Sequence, residues 1–231
     1  MKLLLSCALF AFTAAPSAAP PLAPSVDLRP EFERLHLPPR AQGARPTCSI
    51  FTTCAALEFA LARVEQRGER MSVEYLNWAA NAASGWHDDG DFFHHALAGF
   101  VQEGLCSESE LPYAEHFDPN ATPPAAVCAH AQELKARTLG RMVVHWIVPW
   151  TPGHFSLTSA QFDEVRRTLD RGWPVAAGSG HSRLLVGYRE DASAPGGGVF
   201  LTNDSALAAF GEVSFEFVRK DVADVFWVEA L

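Results

Sequence analysis

The chain has 231 residues, 48% hydrophobic and 19% charged, which suits a globular protein with a sizeable core. Its formal charge of −9 at pH 7 and the lack of any basic run argue against nucleic acid or an anionic membrane surface as the main partner. After the first residues, no segment stays apolar long enough to span a bilayer.

The N-terminus carries Lys2, the apolar stretch 3–15 and the small residues of 16–19. That order predicts a secretory signal peptide over 1–19, and hence an exported chain, secreted or periplasmic, over 20–231. Residues 20–39 are Pro-rich and extended, with Val26, Asp27 and Leu28 as a first short strand. Apolar spacing predicts a helix over 48–66, with Thr47 as its cap and Arg67-Gly68 as its stop. Two further helices follow over 72–83, capped by Ser72, and 92–103, closed by Gly104. An irregular, Pro-rich stretch covers 111–127.

The character changes after about residue 136. Strands are predicted over 141–148, 174–177, 184–188, 198–202, 212–218 and 225–229, with one helix over 159–171 ended by Gly172. A helical half (about 40–135) followed by an antiparallel β half (about 136–231) predicts an α+β fold with a cleft where the halves meet.

Four cysteines remain after the leader: Cys48, Cys54, Cys106 and Cys128. Cys48 and Cys54 fall on one helix, about 9 Å apart along its axis and on different faces, so they cannot bridge. Export favours oxidation, and Cys106 and Cys128 flank the irregular segment, so these two are the expected disulfide. Cys54 belongs on the inner helix face. Cys48 is different, because it stands where a helix begins. There a thiol can be a small hydrophobe, half of a disulfide, a metal ligand or a nucleophile. A thiolate at that position is stabilised by unpaired backbone N–H groups and the positive end of the helix dipole. A nucleophile also needs a base, and His181 stands out among nine histidines. It follows Gly178-Ser179-Gly180 and opens an apolar strand, which leaves its ring at the rim of a sheet. The next strand ends in Asn203, whose amide oxygen could fix the imidazole tautomer.

In this arrangement the chain resembles the papain-like cysteine peptidases. The resemblance rests on Gln42-Gly43 before Cys48 and on the segment from His181 through Val186-Gly187-Tyr188. It continues in Asn203-Asp204-Ser205 and in the later Phe210-Gly211-Glu212. His181 and Asn203 follow the cysteine at roughly the 130–150-residue separation of that family. Pro24 to Arg29 and Glu110-Leu111-Pro112-Tyr113 extend the similarity over nearly the whole chain after the leader. It implies that Cys48 attacks the scissile carbonyl, His181 carries the proton, Asn203 orients His181, and Gln42 helps to hold the oxyanion. It also implies that Gly90 and Asp91 line the cleft and contact substrate, with Asp91 either favouring cationic peptides or capping the helix at 92.

The departures are as informative. Arg45 stands where the family carries a cysteine, and the facing loop Asp88-Asp89-Gly90-Asp91 lacks its partner cysteine. Ser49 and Ser205 replace tryptophans, and no inhibitory propeptide is expected. A divergent member of bacterial type fits these features. The cluster of His87, Asp88, Asp89, Asp91, His94 and His95 reads as a solvated loop entering a helix, so neither metal nor cofactor is expected. The reading is an exported thiol peptidase acting on peptides or proteins, with oligomeric state undetermined. Its alternatives are a catalytically silent binding module and an amidase or transpeptidase on a non-protein substrate.

Overall fold

A computed structural model describes residues 20–231; the leader expected over 1–19 lies outside them. In chain order the elements are β1 (Ser25–Asp27), α1 (Arg29–Arg34), α2 (Cys48–Glu65), α3 (Val73–Ser84), α4 (Phe93–Glu103) and α5 (Ala125–Thr138). Then come β2 (Met142–Val148), α6 (Ser159–Asp170), β3 (Val175–Gly178), β4 (Arg183–Glu190), β5 (Gly198–Asp204), β6 (Ala209–Ser214), α7 (Phe215–Asp221) and β7 (Asp224–Ala230). The fold is α+β, as the sequence predicts. Its strands form one antiparallel sheet in the order β2-β7-β3-β4-β5-β6, with β1 added to the outer half of β4.

Most helix ends follow local chemistry. The Ser72 hydroxyl accepts the Tyr75 amide at 2.9 Å and starts α3. Thr158 and Gln161 close a reciprocal capping box on α6. Thr47, however, is no side-chain cap: its hydroxyl pairs with the Tyr113 hydroxyl at 2.7 Å. Gln66, at φ 57°, stops α2 before Gly68 is reached.

Three helices go beyond the predicted elements. α5 buries only Val127, Ala131 and Thr138, so it carries little apolar periodicity to read. α1 is only six residues long, and it buries Phe32 alone. The strand expected over 212–218 divides at Ser214, whose hydroxyl accepts the Phe217 amide at 3.1 Å and opens α7.

The sheet is covered on both faces, and its alternation shows it. Ala176, Leu184, Val186, Leu201, Phe226 and Val228 join one core with α2, α3 and α4. Val175, Leu185, Phe200, Val225 and Trp227 join a second core with α6 and α7. Neighbouring strand residues thus enter opposite cores, so these strands read as continuous apolar runs. α2 lies inside the first core and is buried nearly along its length. Its Glu58, 1% exposed, accepts from Arg40 at 2.7 Å, Arg70 at 3.0 Å and the Met71 amide at 2.8 Å.

A second buried ion cluster holds the loop before α4 against the entry to α2. Arg45, 5% exposed, grips Asp89 through Nε at 2.9 Å and a terminal nitrogen at 2.8 Å, and reaches Glu74 at 2.5 Å. Burial opposes its charge, yet the hydrogen bonds and charges of Asp89 and Glu74 raise its pKa above the ordinary arginine value. Asn77 accepts the Gly90 amide at 3.0 Å, and Asn81 binds Asp88 through both its amide and carbonyl. Gly90 itself, at φ +86°, leaves no room for a side chain, since a Cβ there would meet the Pro46 carbonyl oxygen at 2.3 Å. Arg45→Ala should destabilise the protein by about 3–5 kcal/mol, because it strands two carboxylates in a poorly hydrated interior. Urea unfolding followed by circular dichroism measures that loss.

Candidate active site

A cleft of about 590 Å³ runs between the helical half and the sheet half. Cys48 and the loop 88–91 stand on one side of it, and the β3–β4 turn and the start of β7 on the other. Cys48 is the first residue of α2, so its own N–H belongs to the turn whose amides have no helical acceptor. The thiol is partly exposed and accepts the Ser182 amide at 3.5 Å, which sets it beside the residue following His181.

The turn holding His181 is pinned locally. The Ser179 hydroxyl donates to the His181 carbonyl at 2.7 Å and accepts the His181 amide at 3.3 Å. The ring is fixed from β5, where Nε2 lies 2.7 Å from Asp204 Oδ1. Burial opposes the Asp204 charge, but the His181 hydrogen bond and charge, the Ala206 amide and Arg183 together hold its carboxyl below the usual carboxylate range. An ionised carboxylate can only accept, so Nε2 carries the hydrogen and Nδ1 is left as the basic nitrogen. Arg183 completes the group, donating to Asp204 Oδ2 at 2.8 Å and to the His181 carbonyl at 2.9 Å.

Asn203 does not have the position expected of it. It pairs with Leu184 in the β4–β5 ladder and turns to the face lined by Arg40, Phe51 and Thr52 of the helical half. No hydrogen bond joins it to His181 among the described residues. The cause is strand alternation: adjacent residues of β5 point to opposite faces, and Asp204, one residue later, faces the histidine. The run 199–201 is apolar on both faces, so alternation alone does not tell which residue reaches the rim. Asp204 and Arg183 are therefore the site residues that sequence reasoning missed. The usable signal was a charged pair, Arg183 and Asp204, at the facing ends of two neighbouring strands.

Gln42 is 9% exposed and tightly held. Its side-chain oxygen accepts the Ser205 hydroxyl at 2.7 Å, and Nε2 donates one hydrogen to the Arg45 carbonyl at 2.9 Å, leaving the second. Gly90 lines the cleft. Asp91 touches the cleft, but its side chain is only 1% exposed and already engaged. It accepts the Phe92 amide at 2.6 Å, the Ser84 hydroxyl at 3.0 Å and His95 Nδ1 at 2.7 Å. These contacts hold the entry to α4 and leave the carboxylate no exposed edge toward a cationic substrate.

The expected Cys106–Cys128 bridge is also corrected: all four cysteines among the described residues are free thiols. Burial pushes the Cys106 thiol up to about 12. Cys128 lies on α5, whose first residues fall within the stretch expected to be irregular, with its thiol 3.9 Å from the Pro123 carbonyl. Cys54 is fully buried, as expected, and burial raises its pKa as well. No group of three or more potential metal-ligating side chains converges among the described residues.

No family model matches the chain. No curated protein matches it either. Solved structures do. Xylellain, a cysteine protease from Xylella fastidiosa, superposes with a TM-score of 0.67 at 18% identity, covering 96% of this chain and 91% of its own. The proform of the ragweed pollen cysteine protease Amb a 11 gives 0.66 at 16% identity, over 93% and 69%. Digestive procathepsin L 3 of Tenebrio molitor gives 0.63 at 18% identity, over 92% and 72%. With the helical half, the two-faced antiparallel sheet and the cleft between them, these likenesses establish that the chain has the papain-like cysteine protease fold.

Proposed function

We propose that the protein is an exported thiol peptidase in which Cys48, His181 and Asp204 act together, with Asp204 taking the orienting role first expected of Asn203. The observation that carries the reading is the continuity of contacts around the base. His181 is fixed through Nε2 by a carboxylate, while the residue after it donates to the Cys48 thiol. Geometry of this kind activates a nucleophile through an oriented imidazole.

The chemistry follows from the atoms. His181 Nδ1 takes the thiol proton as Cys48 Sγ bonds to the carbonyl carbon of a peptide. The carbonyl oxygen gains the negative charge, and the Cys48 amide and the free Gln42 Nε2 hydrogen are the available donors for it. Collapse of the intermediate breaks the C–N bond, and His181 gives its proton to the departing amine. Water then attacks the thioester with His181 as base, releasing a carboxylic acid and restoring the thiol. Asp204 stabilises the imidazolium formed in between, which a neutral amide would do less well.

Fluorogenic peptide hydrolysis tests the assignment. Cys48→Ser should abolish turnover, and His181→Ala should lower kcat by roughly 10²–10⁴-fold, the usual contribution of general acid–base catalysis. Asp204→Ala should lose activity to a smaller extent, and Asn203→Ala should stay near the parent. Full turnover in Cys48→Ser would overturn the proposal. Labelling of Cys48 by iodoacetamide without any hydrolysis of a peptide library would favour a silent binding module or a non-peptide substrate.

Asp204 also carries a pH signature. Its folded-state pKa lies below the unfolded value, so its stabilising contribution is present above the unfolded value, about 3.9. That contribution is lost as pH falls through the lower, folded-state value. Asp204→Asn should therefore flatten the acid side of the stability curve, measured by thermal melts between neutral and strongly acidic pH.

A further inference from the structure

A second pocket, of about 270 Å³, opens within the helical half, between α3 and the irregular stretch 111–123. None of the residues that line it lines the cleft. α3 contributes Trp78, and the facing stretch contributes Leu111, Phe117, Pro119 and Pro123. The polar share comes mainly from α3. There Glu74, Asn77 and Asn81 follow one another at three- and four-residue spacing, and so share one face. A small space lined by rings and apolar groups, with a few polar groups among them, is the usual form of a small-molecule site.

The same polar side chains also hold the cleft. Asn77 accepts the Gly90 amide at 3.0 Å and donates to Asp89 at 3.2 Å, and Asn81 binds Asp88 through both ends of its amide. The pocket therefore reaches the supports of the loop 88–91, which forms one side of the cleft.

Charge around the pocket is unbalanced. Arg45 brings one formal positive charge to two carboxylates, Glu74 and Asp89. Asp118 is a further acid in the lining; its Oδ1 accepts the Asn120 amide at 2.9 Å, which leaves Oδ2 without a donor among the described residues. Neither lysine nor arginine lines the space, and the remaining titratable residue, His87, is of a type that carries no charge at pH 8. Glu74 keeps 19% of its side chain exposed, so a ligand can reach it. An ammonium group answers these acids, and an aromatic ring suits the company of Trp78 and Phe117.

We propose that this pocket is a second ligand site, separate from the cleft, that takes a small organic cation built on an aromatic ring, and that its occupant steadies the loop 88–91. A space of about 270 Å³ holds one ring and a short stem rather than a run of peptide. The steadying follows from linkage, because a ligand packed on Asn77 and Asn81 restrains the two side chains that hold the loop. Neither part depends on the reaction assigned to Cys48.

The probe is tryptamine, with 3-ethylindole as its uncharged counterpart, followed by NMR titration of the isotope-labelled protein at pH 8. The Trp78 indole N–H should shift in a saturable way, while those of Trp86 and Trp150, which line the cleft, stay in place. A ligand of this size supports a Kd between about 1 mM and tens of micromolar. 3-Ethylindole should bind roughly tenfold more weakly, the scale of a hydrogen bond to a charged group. Ala82→Phe, which fills the pocket from an exposed position on α3, should abolish the shift. Asp118→Asn should weaken tryptamine by roughly threefold and leave 3-ethylindole as it was. Asp221→Asn, which removes the same charge from the end of α7, should change neither. Saturating tryptamine should also slow hydrogen exchange of the Gly90 amide by roughly threefold or more. Equal affinity for the two probes, binding that survives Ala82→Phe, or movement of Trp86 and Trp150 in place of Trp78 overturns the site. Tighter binding of tryptophanyl-glycine, whose terminal ammonium and ring have the same chemistry, overturns the assignment to a free amine. Unchanged Gly90 exchange at saturation overturns the link to the loop.

Discussion

The structure depends on the burial of α2. A helix apolar around its circumference must be enclosed, and here the sheet encloses it on one side and α3 and α4 on another. Once enclosed, it has little freedom to slide or rotate, so the place where Cys48 emerges is set by packing rather than by the loop before it. The Glu58 cluster tightens this further by tying the chain near Arg40 and Met71 to the same helix. A thiol mounted on such an element can be met by residues that come from a different half of the chain.

The Arg45 cluster meets the same mechanical demand by electrostatic means. The family pattern implied by the sequence has a covalent tie between the approach to the nucleophile helix and the facing loop. Here both cysteines are replaced, and a bidentate guanidinium–carboxylate pair spans that junction, with Glu74 as a further anchor. A planar fork fixes orientation as well as distance, which a single point charge does not. The arrangement is sensitive to loss of any member, since removing the cation leaves buried acids behind. It is indifferent to redox conditions, which matters little for a chain whose four described cysteines are all free thiols.

In the proposed site a carboxylate, rather than the amide one residue before it, meets the His181 ring. Asp204 accepts from Nε2 of His181, which fixes the ring hydrogen on that nitrogen. Left alone, a buried carboxylate would draw the proton toward a tightly held ion pair. Arg183 shares the charge through the other oxygen and so moderates it. The two residues face each other from neighbouring strands, and the charge of each makes that of the other tolerable.

The sequence by itself determined a good deal. Apolar spacing located α2, α3, α4 and α6, and Ser72 marks the start of α3 by chemistry that acts within one turn. The cysteine at a helix start and the glycine-rich turn before His181 were legible for the same reason, because each is a local pattern. Only the tertiary structure decided which residue meets His181. Asn203 and Asp204 are neighbours that point to opposite faces of β5, and the choice belongs to the register with β4 and to the layers on either side. The choice between the two roles open to Asp91, made by Ser84 and His95, was likewise a matter of tertiary structure. A carboxylate has the same letter whether it is paired or alone, and its partners arrive from elements far away in sequence.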